Sequence, residues 1–433
     1  MRLGVKGSRR SAVLQLKGII RSIRRIAPIG ACLVLALLFA QTANATVLGK
    51  KGPKYAVSDA ARTIKNPTLT GAESKLWFKD GRWWGVLWDT TSGSHHIFWL
   101  NRSTSPHKWV DSGVSVDGRN TVRVDALSAG SKLYVATHVY GVDAGRGAAR
   151  LYRYSYHSAT RRYTRDKGFP VRINSAVTKT LVITKESGHN VLWASWVEPV
   201  VPGRREVLVA KGLKGGKKWR APFRIPHSGT VGYDDISSIV TFGKKVGVLW
   251  SDSNNDDGNR FRFATHRNVA RSSRWSRERP YLTGLRQVDD HISLKSYNGR
   301  VYAAVKTASR GINIDGPSLV LLVRSQNGHW GHAGIASNGN QLTRPVLLID
   351  PGANELHVFA NGPNFRPGTI FEKTSPLDVP SFDVQGPPTP FISDDQNPGL
   401  EVATSTKQPV SPSMGIVVVA ANFMNHTYYF REE

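Results

Sequence analysis

One cysteine, Cys32, in 433 residues leaves no disulfide framework and no cysteine-rich zinc site. No stretch offers the ~18 consecutive uncharged apolar residues of a convincing membrane-spanning helix. Acidic side chains are scarce, with 31 Asp+Glu against 59 Lys+Arg and a formal net charge of +28. Helical periodicity is missing beyond residue 45. What the chain does have is 41 Gly and an even scatter of 12 Trp, 13 Tyr and 15 Phe, which fits a packed, turn-rich core rather than disorder.

The first 45 residues read as an address. Arg2, Lys6, Arg9, Arg10, Lys17, Arg21, Arg24 and Arg25 occur there without a single acid, ahead of an apolar run from Ile29 to Ala40. Ala43-Asn44-Ala45 then supplies the small residues a signal peptidase reads, so residues 1–45 are predicted to be a secretory signal peptide. An uncleaved anchor is the competing reading. Removal of the eight basic residues in that segment leaves a mature chain of net charge +20 and no cysteine. Residues 46–433 are expected to form one secreted, extracellular domain whose core stands without disulfides.

An internal repeat organises that domain. Strand-like cores recur at Val86-Leu87-Trp88, Tyr134-Val135-Ala136, Leu192-Trp193-Ala194, Val248-Leu249-Trp250, Tyr302-Ala303-Ala304, His357-Val358-Phe359 and Val417-Val418-Val419. The steps are 48, 58, 56, 54, 55 and 60 residues. Tight-turn pairs such as Asp80-Gly81 and Asn298-Gly299 come before most of them and supply the positive φ that two-residue hairpins require. A second mark runs through Trp109, Tyr163, Trp219, Trp275 and Trp330, spaced 54, 56, 56 and 55 residues apart. Four short antiparallel strands per unit of about 55 residues predict an all-β fold, a β-propeller of seven blades, with six as the alternative. A β-sandwich array or a β-solenoid is the competing architecture. The seventh unit lacks a fourth strand, and the segment from Tyr55 to Ile64 is expected to supply it and close the ring.

The aromatic-marked corner resembles the Asp-box, or BNR repeat, of sialidase-like propellers, whose pattern is Ser-x-Asp-x-Gly-x-x-Trp. Ser325-Gln326-Asn327-Gly328-His329-Trp330 comes nearest, and the copies ending at Trp109, Trp219 and Trp275 keep less of it. The motif's Asp is absent from all of them. The resemblance implies the fold and says little about activity, because in such families the box is a corner remote from the active site. Phe223-Arg224-Ile225-Pro226 matches the segment that carries a sialidase arginine, but it lies mid-chain, without the companion arginines, tyrosine and acid in register. Sialidase activity is not expected. Val288-Asp289-Asp290-His291-Ile292-Ser293-Leu294 resembles a segment of BNR-related secreted propellers, some of which are seven-bladed polysaccharide lyases. That likeness implies a substrate class rather than a reaction.

Propeller ligands gather at the mouth of the central channel. The links between blades place Arg123, Asp125, Lys179, Asp234, Asp235, Asp289, Asp290, His291, Arg344, Asp394 and Asp395 where they can line such a funnel. Loops between second and third strands add His138, Tyr140 and Lys306. A cation to neutralise a carboxylate, a base for the α-proton and a phenol or imidazole for the leaving oxygen are what a uronate lyase needs. His138, Tyr140, Arg123, His291 and Lys306 are therefore the catalytic candidates. In the competing reading, each Asp caps a turn or accepts backbone hydrogen bonds. The oxygen-rich loop 252–259 offers Ca²⁺ ligands but fits no EF-hand register, and no other cofactor is expected. Adjacent His95 and His96 point to opposite faces of a strand, which disfavours a shared zinc.

These features predict a secreted carbohydrate-binding propeller acting on an acidic polysaccharide, as a lyase or hydrolase. A non-catalytic adhesin or scaffold at the cell surface is the alternative. The expected partner is an anionic glycan or other cell-surface polymer met by a monomer. No specific nucleic acid is expected, because the basic residues are dispersed, and no membrane span after signal cleavage.

Overall fold

The computed structural model describes residues 47–56, 67–119, 121–141, 146–201, 204–253, 260–268, 270–280, 288–307, 315–363 and 368–433. Residues 1–45, predicted from the sequence to be a signal peptide, lie outside them. The strands form seven separate antiparallel sheets. Blade 1 runs Leu76–Lys79, Arg82–Asp89, Ser94–Asn101 and Lys108–Ser115. The inner strands of blades 2 to 7 are Val122–Ala129, Leu181–Lys185, Ser237–Phe242, Ile292–Tyr297, Thr343–Asp350 and Leu400–Thr404. Each inner strand contacts those of the neighbouring blades, and a bridge from Leu76 to Thr406 joins blade 1 to blade 7. The fold is a seven-bladed β-propeller, so neither six blades nor an open array describes it. The three-residue 3₁₀ turn Asn338–Asn340 is the only helix among the described residues.

Local chemistry explains the blades. Asp80 (φ 54°) and Gly81 (φ 75°) take the left-handed conformation, as do Asn298 (φ 46°) and Gly299 (φ 71°), so both hairpins turn in two residues. The strands flanking these turns carry near-continuous apolar runs because both faces of a blade are packed against neighbours. In Arg82–Asp89 every residue but the two ends is buried.

The ring closes differently from expectation. The missing fourth strand of blade 7 is Lys50–Lys54, which pairs antiparallel with Thr427–Glu432. Val47–Leu48, just upstream, joins the outer strand of blade 6, Thr389–Asp394. Of the segment Tyr55 to Ile64, only Tyr55 and Ala56 are described. Tyr55 is buried past the end of the closing strand, where its backbone N–H donates to the His426 carbonyl at 2.8 Å and its hydroxyl to the Asn422 carbonyl at 2.8 Å. The closing strand is missed in the sequence because Lys50-Lys51-Gly52-Pro53-Lys54 has no apolar alternation. An outermost strand with one open edge does not need it.

The periodic aromatic is a wedge between blades. Trp109 of blade 1 meets Phe430 of blade 7, with ring centroids 6.1 Å apart. Tyr163 of blade 2 sits edge-on to Trp77 and Trp84 of blade 1 at 5.8 and 5.1 Å. Trp275 of blade 4 meets Trp193 of blade 3 at 6.0 Å, and Trp330 of blade 5 meets Phe263 of blade 4 at 5.0 Å. At the Asp-box-like corner, Asn327 does the turn's work: its Oδ1 accepts from the Ser325 hydroxyl at 2.5 Å. The Ser325 backbone N–H closes the loop onto the His329 carbonyl at 2.9 Å.

Tyr163 tests the wedge. The indole N–H of buried Trp77 donates to its hydroxyl at 2.8 Å. Tyr163→Phe is expected to lose about 1–2 kcal/mol by orphaning that donor. Tyr163→Ala is expected to lose about 3–5 kcal/mol by opening a cavity between blades 1 and 2. Urea unfolding midpoints of the two variants check the order.

Candidate functional site

The links entering the inner strands, with two of the second-to-third-strand loops, enclose a cavity of about 740 Å³ at one end of the channel. Tyr140, Lys179, Asp234, Asp235, Asp289, Asp290, His291, Lys306 and Arg344 line it, together with Glu401, Ser253 and the segment Leu69-Thr70-Gly71.

One wall belongs to blades 3, 4 and 5. Pairing in blade 5 continues past the strand ends, through Lys306 N–H to the His291 carbonyl at 3.1 Å and Asp289 N–H to the Lys306 carbonyl at 3.3 Å. That extension sets Asp289, His291 and Lys306 side by side. The His291 Nδ1–H donates to Asp289 Oδ1 at 2.7 Å and lies 2.8 Å from Asp290 Oδ1. Lys306 Nζ is 3.0 Å from Asp289 Oδ2, and Lys179 Nζ bridges Asp290 and Asp234, the latter at 2.6 Å. Burial pushes the His291 imidazolium down, but the two carboxylates outweigh it and hold its pKa above the ordinary value. Burial alone would raise the Asp290 carboxyl; His291 and Lys179 hold it well below the usual carboxylate range. Asp235 instead organises backbone, accepting from Gly232 N–H at 2.5 Å and Ser253 N–H at 2.9 Å.

The other wall belongs to blades 2, 6 and 7. Tyr140 bridges to Thr178, and the Arg123 guanidinium stacks behind its ring, 4.7 Å from the centroid. Arg344 sits in a register shift between Thr343 and Val346 with φ 56°, and Glu401 sits in one between Leu400 and Ala403. Both irregularities turn a charged side chain out of the strand pattern toward the mouth. Burial raises the Glu401 carboxyl pKa, opposed by Arg344 and Arg123. Glu401 was not among the sequence candidates. The longest repeat step, 60 residues, falls between blades 6 and 7, and that insertion shifts the phase on which the link was identified.

Five candidates do not line the cavity. His138 is fully buried below the mouth; its Nε2 lies 2.7 Å from Glu73 Oε1 and its Nδ1 2.9 Å from Thr178 Oγ1. Asp125 falls inside the inner strand of blade 2, not in the link. It accepts from the N–H of Ser74 at 2.9 Å and of Ile183 at 2.8 Å, and from Lys407 Nζ at 2.5 Å. It thereby satisfies the strand edges of blades on both sides, as the competing reading of such acids holds. Asp394 ends the outer strand of blade 6 and accepts from the Tyr429 hydroxyl and from Asn397 Nδ2 at 3.1 Å. Asp395 is exposed beside it. Arg123 reaches the mouth only through Tyr140. Phe223–Arg224 is an edge strand of blade 3, with Arg224 Nη1 2.8 Å from Glu206 Oε1.

Two groups of described residues bring three metal-type donors within 4.8 Å of one another: Asp289, Asp290 and His291, and Asp89, His96 and Asp111. In the first, Lys179 and Lys306 already occupy the carboxylates. The oxygen-rich loop lies outside the described residues from 254 to 259. Of its start, Asp252 pairs with Arg262 and Ser253 binds Asp235.

No protein-family profile matches the chain, and no curated protein matches it. Solved structures do. A structure of a polysaccharide lyase, the PL25 ulvan lyase, aligns over 89% of this chain and 94% of its own, with a TM-score of 0.55 and 11% identity. The same lyase bound to -[GlcA(1-4)Rha3S]- aligns over the same shares, with a TM-score of 0.53 and 11% identity. At that identity the likeness establishes a shared propeller fold. The protein is similar in architecture to a carbohydrate-active propeller, with a polar, charge-dense mouth.

Below the mouth, Lys295 is buried in a 120 Å³ cavity with Lys407, its Nζ donating to the Thr406 carbonyl at 2.5 Å. Burial, then the Lys407 charge, lowers its pKa from 10.5 to about 7, against the pull of Asp125. The unfolded chain thus binds this proton more tightly than the folded one. The group destabilises the fold below about pH 7 and is progressively relieved as pH rises from about 7 toward 10.5. Lys295→Met is expected to flatten the rise of stability over that window, measured by urea titration at stepped pH.

Proposed function

We propose that the mouth binds a segment of an acidic, uronate-bearing polysaccharide and cleaves it by β-elimination on the Tyr140–Arg344–Glu401 wall. One observation carries the reading. A guanidinium, a carboxyl of raised pKa and a phenol from three different blades line one open cavity. The likeness to a propeller lyase bound to a glucuronate-containing glycan supports it through the shared fold.

The chemistry follows from the residue types. Arg344 neutralises the uronate carboxylate and so acidifies the adjacent C–H. Glu401 takes that proton, a task suited to a carboxyl whose pKa has been pushed up. As the C–H electron pair forms the new double bond, the glycosidic C–O bond breaks and the Tyr140 hydroxyl protonates the departing oxygen. Lys179, Lys306 and His291 are tied into ion pairs on the opposite wall, where they hold the sugar hydroxyls. Those same pairs favour the second reading, a binder without turnover, because the positive charges of that wall are already balanced. We also propose export, with residues 1–45 removed and Thr46 as the mature N-terminus, which the intact mass of secreted protein would report.

Incubation with a panel of uronate polymers, followed by ultraviolet absorbance of the unsaturated product, tests the reaction. Tyr140→Phe, Arg344→Ala and Glu401→Gln are each expected to lower kcat by about 10²-fold or more. Retention of a polymer without any absorbance would leave the binding reading, and neither retention nor absorbance would end both.

A further inference from the structure

A second constellation, outside the cavity lining, lies in blade 1. The turn joining Arg82–Asp89 to Ser94–Asn101 carries Ser92, an exposed residue. Ser92 Oγ lies 3.0 Å from His96 Nε2, and His96 Nδ1 lies 2.7 Å from Asp111 Oδ2. The outer strand Lys108–Ser115 shifts register between the partners of Ile97 and Phe98. The irregularity is built from Ser112 and Gly113 (φ 76°), with the Ser112 hydroxyl on the Ile97 carbonyl at 2.5 Å. It turns Asp111 onto His96, and the Gly113 N–H fixes the other Asp111 oxygen at 2.8 Å. Ser115 is the strand partner of His96, and the two extra residues between Val114 and Asp111 are what let the Asp111 carboxylate reach the same ring.

One tautomer of His96 suits both of its neighbours. An ionised carboxylate only accepts, so Nδ1 carries the ring proton of His96 and Nε2 presents its lone pair to Ser92. The Ser92 hydroxyl therefore donates to Nε2. A hydroxyl on a base whose far nitrogen is held by a carboxylate is the arrangement of an activated serine nucleophile. Asp89 fixes the turn that presents it, accepting from Ser92 N–H at 2.7 Å and Thr91 N–H at 3.3 Å. Ser94 Oγ, 3.0 Å from Ser92 Oγ, is the nearest hydroxyl able to donate toward an oxyanion.

We infer that Ser92, His96 and Asp111 form a hydrolytic triad that cleaves short-chain carboxylic esters. Ser92 Oγ attacks the ester carbonyl carbon while its proton passes to His96 Nε2. The tetrahedral intermediate collapses, the C–O bond to the alcohol breaks, and the alcohol leaves with the proton from His96. Water then gives a proton to His96 and attacks the acyl-serine, and the proton returns to Ser92 Oγ as the acid departs. The neighbours Asp89, Thr91, Ser94 and Ser115 are polar and give a long acyl chain no apolar contact, so a short acyl group is the one proposed. Asp111 acts through His96 and is a positioning residue.

The test uses the whole chain, a fluorophosphonate probe and p-nitrophenyl acetate. Peptide mass mapping is expected to place the phosphonyl adduct on Ser92. Ser92→Ala should abolish adduct and ester turnover, whereas Ser187→Ala, at an exposed serine of blade 3, keeps both. Asp111→Asn, which preserves shape but permits the wrong tautomer, should slow both by about 10²-fold or more. Thermal unfolding of each variant confirms the fold; both Ser92 and Asp111 sit where substitution spares the buried core, so these two decide the matter even where a His96→Gln variant does not fold. A folded wild type left unlabelled at Ser92, or an adduct that forms equally fast in Asp111→Asn, would overturn the inference. Neither readout depends on the mouth, so this result and the polymer-cleavage result are separable.

Discussion

A seven-fold ring has no free end, and in this chain the two ends of the sequence supply the seam. Lys50–Lys54 completes blade 7 from outside, paired with Thr427–Glu432. Glu432 gathers the seam electrostatically, taking Lys50 at 3.0 Å and Arg102 of blade 1 at 2.8 Å, with His107 also bound. Burial opposes the ionised form of Glu432, yet its three basic neighbours hold its pKa below the usual value. Blades 1, 7 and the N-terminal strand are thereby locked together. The mouth is a set of links from every blade, so its geometry exists only when that seam holds.

The interior shows the other side of the same constraint. Inner strands converge on the channel with edges that neighbouring blades do not pair, and their N–H groups need acceptors. Asp125 and Glu73 supply them, Asp125 to Ser74 and Ile183, Glu73 to Leu181 at 3.1 Å. His138 and Lys75 compensate Glu73 from both sides, at 2.7 and 3.2 Å. Buried charges here serve the ring. The charges that line the cavity are held one step further out, at strand ends and bulges, where Lys179, Lys306, Arg344 and Glu401 meet solvent.

Much of the architecture was legible before any coordinates. Seven strand cores at near-constant spacing, and an aromatic every 54 to 56 residues from Trp109 to Trp330, are direct imprints of blade repetition. The aromatic's role was not legible, because a wedge between blades is a contact between units that the sequence keeps apart. Nine of the candidate site residues line the mouth because link position is a matter of chain order. Asp125, Asp394 and His138 fall elsewhere because a shift of a few residues carries a side chain from mouth to channel wall or outer edge. Glu401 and Asp111 were invisible for a related reason: each owes its direction to a register shift, and no periodic pattern announces one.

The sequence by itself determined the repeat, the strand content and the belt of links from which a polar mouth is built, since those follow from periodicity and turn chemistry. Tertiary structure alone decided seven blades over six, which strand closes the ring, which acids are consumed by backbone and which line the cavity. It also brought Ser92, His96 and Asp111 within hydrogen-bond reach from one turn and two strands. Hydrophobic spacing is a one-dimensional record of what lies inside. The partner of a polar group is set by distances across strands and blades, and those exist only once the ring has closed.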